Sequence, residues 1–249
     1  MRITITQLTA VCFVSLAILL AVPSWAQAEP SQIRPGKYVT EGGWGDLSII
    51  MKDGKLSFTI TSIGPNAHTC SLDGIIKDGR STMESFDEGK PCIVTFQPRG
   101  HDIEVTDNEG ACRYHCGVRA GFTGLYLKPK AGCEGAAIQK SRRKFKQLYD
   151  KKAYPQARTV LEPILKDCSR YIHWLDAAWI RNDFAITQYK LGDYEGCLQT
   201  LKTLEEDALK TDDQLRDSYL PADAECVIPI AKATRTNLNL CRKKSAKNP

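Results

Sequence analysis

Cys112-Arg113-Tyr114-His115-Cys116 places two thiols and an imidazole within five positions. Those residue types suit a haem attachment, an exchanging dithiol or a soft-metal site. A c-type haem needs Cys-x-x-Cys-His, whereas here three residues separate the cysteines and Gly117 follows. An exchanging dithiol normally sits at a helix N-terminus, where the dipole lowers a thiol pKa, yet this segment is flanked by strand-like sequence. A closed zinc site needs four ligands, and only His115 lies near, with His68 and His101 elsewhere in the same half. The remaining use is structural: each cysteine ties a strand to the core. No metal or cofactor is expected. A thiol–disulfide or metal-handling role through Cys112, His115 and Cys116 is the alternative function.

No other constellation promises catalysis. Gly-x-Ser-x-Gly, His-Glu-x-x-His and a phosphate-cradling glycine loop are all missing. Asp87-Glu88 and Glu205-Glu206-Asp207 read as solvated charge. The chain is therefore expected not to be an enzyme. Among the aromatics, Trp44 in Gly-Gly-Trp-Gly stands outside any alternating pattern, where a loop could offer it to a partner. Trp179 and Tyr189, at helical spacing, read as inter-helix core; with Trp174 they could otherwise line a concave binding face.

What must position these residues follows from compartment and period. An apolar run from Leu8 to Val22, a break at Pro23-Ser24 and Ala26-Gln27-Ala28 form the layout of a signal peptide, residues 1–28. The run is shorter than the roughly 20 residues a membrane span requires, so no span is expected after cleavage. Of ten cysteines, Cys12 lies in this leader. The other nine read as disulfides of an exported protein, periplasmic in a Gram-negative cell or secreted. The formal net charge is +5, and bases are interspersed with acids. No nucleic-acid partner is expected.

Residues 29–132 are expected to form a disulfide-stapled antiparallel β domain, with apolar period two from Gly36 to about Lys130. Leu47-to-Ile60 folds about Asp53-Gly54, which pairs Met51 with Leu56, Ile49 with Phe58 and Leu47 with Ile60 on one face. Cys92-to-Val105 repeats this about Arg99-Gly100, predicting Phe96 opposite Ile103 and Val94 opposite Val105. A further turn is expected at Lys77-Asp78-Gly79-Arg80. Residues 133–241 have helical period, and 148–161 matches 188–201 at an offset of 40: Tyr149 with Tyr189, Tyr154 with Tyr194, Ala157 with Cys197, Leu161 with Leu201. A final helix is expected from about Ala222 to Leu240, and 242–249 is a basic tail. The fold class is α+β in two domains, a small antiparallel β barrel or sandwich followed by a stack of helix hairpins.

Three antiparallel helices, about 172–190, 194–209 and 222–240, would bring Cys168 to Cys226 at one end and Cys197 to Cys241 at the other. A Cys226–Cys241 bridge would span roughly 22 Å along one helix, beyond a disulfide's reach. In the β half Cys92 reaches either Cys112 or Cys116, and Cys70 takes the other. Cys133 is left as the odd thiol, available for a dimer.

Ala185, Leu191-Gly192, Tyr194, Cys197 and Leu201 resemble a tetratricopeptide repeat; the first copy departs at Ala153, and the offset implies an insertion around Cys168–Asp176. In the β half, Cys70 in HTCSLDG, Cys92 in PCIVTF and CRYHCGVRAGFTGLY resemble the small β domains of bacterial periplasmic lysozyme inhibitors. Those proteins insert a Ser-Gly-x-x-Tyr loop into the lysozyme cleft. Thr123-Gly124-Leu125-Tyr126 is the nearest match, one residue short and with Thr for Ser. The resemblance implies a binding role for Thr123, Tyr126 and Lys128, and a lysozyme-type cell-wall hydrolase as protein partner. Strand alternation alone explains Phe122 and Tyr126 equally well, as core. A non-enzymatic binding protein, an inhibitor or an adaptor, is the expected function.

Overall fold

Residues able to take positive φ sit at the bends of the first half. Asp53 and Gly54 (φ 49° and 72°) turn β2 (Gly45–Lys52) into β3 (Lys55–Ile63). The pairs Met51–Leu56, Ile49–Phe58 and Leu47–Ile60 are in register, although Met51, at the hairpin tip, is 57% exposed. The structure, a computed structural model, describes residues 32–84 and 90–245. The expected leader, Cys12, Asp87-Glu88 and the last residues of the basic tail lie outside that range.

The remaining strands are β1 (Gly36–Thr40), β4 (Thr69–Ile76), β5 (Arg80–Met83), β6 (Cys92–Arg99), β7 (Asp102–Asp107) and β8 (Gly124–Leu127). All eight form one antiparallel sheet in the order β4-β3-β2-β1-β8-β7-β6-β5. Its two edge strands are consecutive in the chain. Lys77 and Arg80 exchange backbone hydrogen bonds of 2.8 and 3.0 Å, with Asp78 and Gly79 at positive φ. The sheet therefore curls into a nearly closed barrel rather than a sandwich. Its interior is filled by side chains such as Leu47, Phe58, Ile60, Val94, Phe96 and Tyr126.

The β6–β7 hairpin differs from expectation by two residues. Phe96 pairs with Val105, Val94 with Asp107 and Pro98 with Ile103. Gly100, at φ 66°, occupies the first loop position, not the second. Arg99 and Asp102 close the loop, the arrangement that a Gly-X hairpin favours.

The second half consists of α1 (Gly135–Asp150), α2 (Tyr154–Asp167), α3 (Trp174–Lys190), α4 (Tyr194–Leu201), α5 (Glu205–Leu209), α6 (Asp212–Ser218) and α7 (Pro221–Ser245), which runs through Pro229. The α1–α2 and α3–α4 hairpins share one design. Tyr149 meets Tyr154 at 5.3 Å and Tyr189 meets Tyr194 at 5.7 Å between ring centroids. Ala157 and Cys197 are both fully buried, as are Leu161 and Leu201. The turns differ chemically. Gly192 takes the left-handed position in the second, Lys152 in the first. Asp193 then caps α4 by accepting from Gly196 N–H at 2.9 Å, which Ala153 cannot do for α2. The extra residues between the hairpins form a single 3-10 turn, Ser169–Tyr171.

Packing crosses the change of period at 132/133. Val39 of β1 and Leu127 of β8 point out of the barrel into a core with Ile138, Phe145, Leu161 and Ile180, and the described residues belong to one compact unit.

Four disulfides brace this unit: Cys70–Cys116, Cys92–Cys112, Cys133–Cys168 and Cys197–Cys241. The Cys168–Cys226 pairing and the odd thiol at Cys133 are thus both corrected. Cys168 does end α2 beside the start of α3, near the end of the stack where α7 begins. But α3 packs between α2 and α7; Cys168 bonds to Cys133 in the linker, and Cys226 lines a cavity shared with the barrel and the start of α3. Cys133 is bridged within its own chain, which removes it as a dimer link. Cys226 is the unpaired, exposed thiol among the described residues. Four bridges mark a fold made for an oxidising, extracytoplasmic setting. Among the described residues, no helix is long and apolar enough to cross a membrane.

Asp183 of α3 is an ionisable group inside the stack. Burial pushes its carboxyl up to about 6, against the opposing pull of the Arg142 guanidinium. A raised carboxyl pKa favours folding in the protonated form. Its stabilising contribution is full below the unfolded value near 4 and is lost as pH rises through about 6. Asp183→Asn is expected to flatten that dependence and to stabilise the protein above pH 6 by on the order of 2 kcal/mol. Urea melts of both proteins at pH 4.5 and 7.5 check it, and a variant no more stable at the higher pH would contradict the assignment.

Candidate binding groove

Two loops of the barrel meet the starts of two helices, and a groove lies between them. The first loop is Glu41-Gly42-Gly43-Trp44. Gly42 and Gly43 are both at positive φ. Gly42 N–H donates to the Arg170 carbonyl at 2.8 Å, and Gly43 N–H to Thr40 at 2.9 Å. A Cβ on Gly43 would stand 2.4 Å from the His173 nitrogen and 2.6 Å from the Ile172 carbonyl carbon. Glycine is therefore what allows the loop to lie flush on the entry to α3. The Glu41–Arg170 ion pair, 3.4 Å, adds a solvent-exposed link.

The second loop is Gly64-Pro65-Asn66-Ala67. Asn66 (φ 61°) and Ala67 (φ 57°) are left-handed, which suits an asparagine. The Asn66 side-chain oxygen accepts from Ala222 N–H at 2.9 Å, and the Asn66 N–H donates to the Asp223 carboxylate at 2.9 Å. Barrel and helix thus cap each other: α7 obtains a partner for an otherwise orphan N–H, and the loop obtains an anchor.

Between these contacts lies a cavity of ≈ 580 Å³ whose walls include Trp44, Ile63, Thr123, Trp174 and Cys226. That volume falls in the range of sites that hold a small molecule or a few side chains. Trp44 is half-buried, its ring 6.5 Å from that of Tyr126. Trp174 is 46% exposed and stacks on Tyr219 at 6.1 Å and 11°. A tryptophan from each half therefore presents ring surface to the groove. Polar groups are few. Arg119 and Asp223 lie in the lining, and burial lowers the His173 imidazole pKa against the opposing charges of Asp176 and Asp223. A neutral imidazole keeps that wall compatible with an apolar occupant.

Of the residues singled out from sequence, Trp44 and Thr123 are brought together here. Tyr126 is not a surface contact: it is fully buried in the barrel and its hydroxyl donates to the Phe122 carbonyl at 2.7 Å. Burial also pushes its phenol pKa far up. Lys128 lies outside the groove, with its ammonium over the Tyr38 ring at 4.8 Å. Trp179 and Tyr189 are half-buried within the helices. Cys112 and Cys116 are each closed in a separate disulfide, with Cys92 and Cys70. His115 lies between them in a 3-10 turn, its Nε2 shielded from solvent. His173, Trp174 and Cys226, each half-buried or exposed, are wall residues that sequence reasoning did not place together. In the sequence Trp174 reads as part of a concave helical face and Cys226 as a disulfide partner, and nothing local sets either beside the barrel.

The fold defines a class: a disulfide-braced, side-chain-filled β barrel packed onto a stack of helix hairpins, with a groove at the junction. Compared with protein families, curated proteins and solved structures, the chain matches none.

Proposed function

We propose that this chain is an exported, non-enzymatic binding protein of the periplasm that receives an apolar or aromatic segment of a partner protein in the groove between barrel and helices. The observation that carries the reading is the pair Trp44 and Trp174, facing one cavity from two elements that backbone hydrogen bonds hold in place. Aromatic anchors in preformed pockets dominate protein–protein binding energies, and a prepaid geometry lowers the ordering cost of association. The resemblance of the β half to periplasmic lysozyme inhibitors makes a cell-wall hydrolase of the lysozyme type the partner class to try first. Enclosure of Cys112 and Cys116 in separate disulfides favours binding over thiol exchange at that segment.

The test is retention of partners from periplasmic extract, and inhibition of an added lysozyme, by the wild type and by Trp44→Ala and Trp174→Ala. Each substitution is expected to weaken the captured interaction by roughly 30-fold while leaving the thermal midpoint within a few degrees. A partner held equally by both variants would sink the proposal.

A further inference from the structure

The helical half is polarised along its axis. At one end lie the starts of α1, α3 and α7 and the end of α2, all against the barrel: Gly43 on His173, Asn66 on Ala222 and Asp223, and Cys133 bonded to Cys168. At the opposite end lie the α1–α2 turn, the α3–α4 turn and the end of α7. Two crosslinks fix this second cluster, the Cys197–Cys241 disulfide and the Arg158–Asp193 ion pair at 3.7 Å. Helix α7, of 25 residues, separates the ends by about 37 Å at 1.5 Å per residue.

The far end is basic. It carries Lys151 and Lys152 from the first turn, Lys190 from the second, and Lys243 and Lys244 from α7, all exposed. Among the described residues, none of these lysines has an ion pair. The acids nearby are engaged: Asp150 with Lys146, Asp193 with Arg158 and the α4 cap, Glu205 with Arg242. Glu195 is the exception. In sequence these bases look interspersed with acids; the fold sorts them.

We propose that this distal end docks electrostatically on a bilayer surface bearing anionic phosphate headgroups, which holds the barrel and its groove away from that surface. Charge complementarity names the occupant. The lysines are flexible point charges spread over several elements and exposed to solvent, whereas the tyrosines beside them are half-buried and engaged, Tyr149 with Tyr154 and Tyr189 with both Tyr194 and the Lys190 ammonium. That suits a diffuse planar array of phosphates better than the packed centre of a protein interface. The proposal does not depend on what the groove binds.

The test uses residues 31–249, which form a compact unit without the apolar leader, so that the leader cannot itself cause binding. Co-sedimentation with phosphatidylglycerol–phosphatidylcholine vesicles and with pure phosphatidylcholine vesicles is measured at about 50 mM and about 300 mM salt, where the screening length differs about twofold. The expected result is retention on the anionic vesicles alone, weakened by salt. The K151E/K152E/K190E variant should bind roughly a hundredfold less, whereas K55E on the barrel should bind as wild type. Circular dichroism melts confirm that both variants are folded. Equal binding by the triple variant, or equal binding to neutral vesicles, overturns the proposal. So does failure on anionic vesicles combined with capture on immobilised polyglutamate, which would assign the surface to an acidic protein.

Discussion

Gly43→Val is expected to lower stability by on the order of 4 kcal/mol and to loosen the barrel from the helices. Two effects add. Valine at φ 65° is strained in its own backbone, and its Cβ would meet main-chain atoms of Ile172 and His173 that have no room to retreat. Gly42→Ala is the control. Gly42 is also left-handed, but the nearest atom to its Cβ would be in the Trp44 ring at 4.0 Å, so only about 1 kcal/mol of backbone strain is expected. Denaturant titration of both variants separates the contact from the conformation. Similar losses would mean that the seating on α3 contributes little.

The second large effect is expected from the double replacement Cys70→Ser with Cys116→Ser. This bridge closes 46 residues of sequence, and in the chain-entropy model a loop of that size contributes about 4 kcal/mol. The two serines would also leave hydroxyls at the barrel wall beside the β4 edge, where Cys70 is buried. Cys226→Ser, at an exposed unpaired position, should change stability by less than about 0.5 kcal/mol. Urea melts of the three proteins check the ranking, and non-reducing peptide mapping checks the four pairings. A 168–226 crosslinked peptide would contradict the structure.

Local chemistry was the legible part of this molecule. Asp53-Gly54 disclosed a hairpin and its register because both residues accept positive φ, and the matched tyrosines disclosed two helix hairpins. Arg99-Gly100 misled because a glycine can take either loop position. Moving it from the second to the first shifts every pair by two while keeping the same side chains inward. In the helical half the Cys197–Cys241 bridge forms as expected, and the Cys168–Cys226 pairing failed on sidedness. Which end of a stack a cysteine occupies follows from helix direction, but not which flank of α3 it faces. The groove was the least legible. Its walls come from residues near 44, 63, 123, 174 and 226, and nothing local says that a loop beginning Gly-Gly will rest on the entry to a helix more than a hundred residues later.

The barrel's strand order has a kinetic corollary. Within the described barrel, every ladder joins strands adjacent along the chain except β1 with β8. Hairpins zip in microseconds, whereas a contact between ends this distant must wait for loop closure. That late step brings together the two strands whose outward residues, Val39 and Leu127, seat the helices. Sealing the cylinder and building the platform for the second half are therefore one event on the folding route, and an intermediate with a finished barrel and a detached bundle has little reason to accumulate.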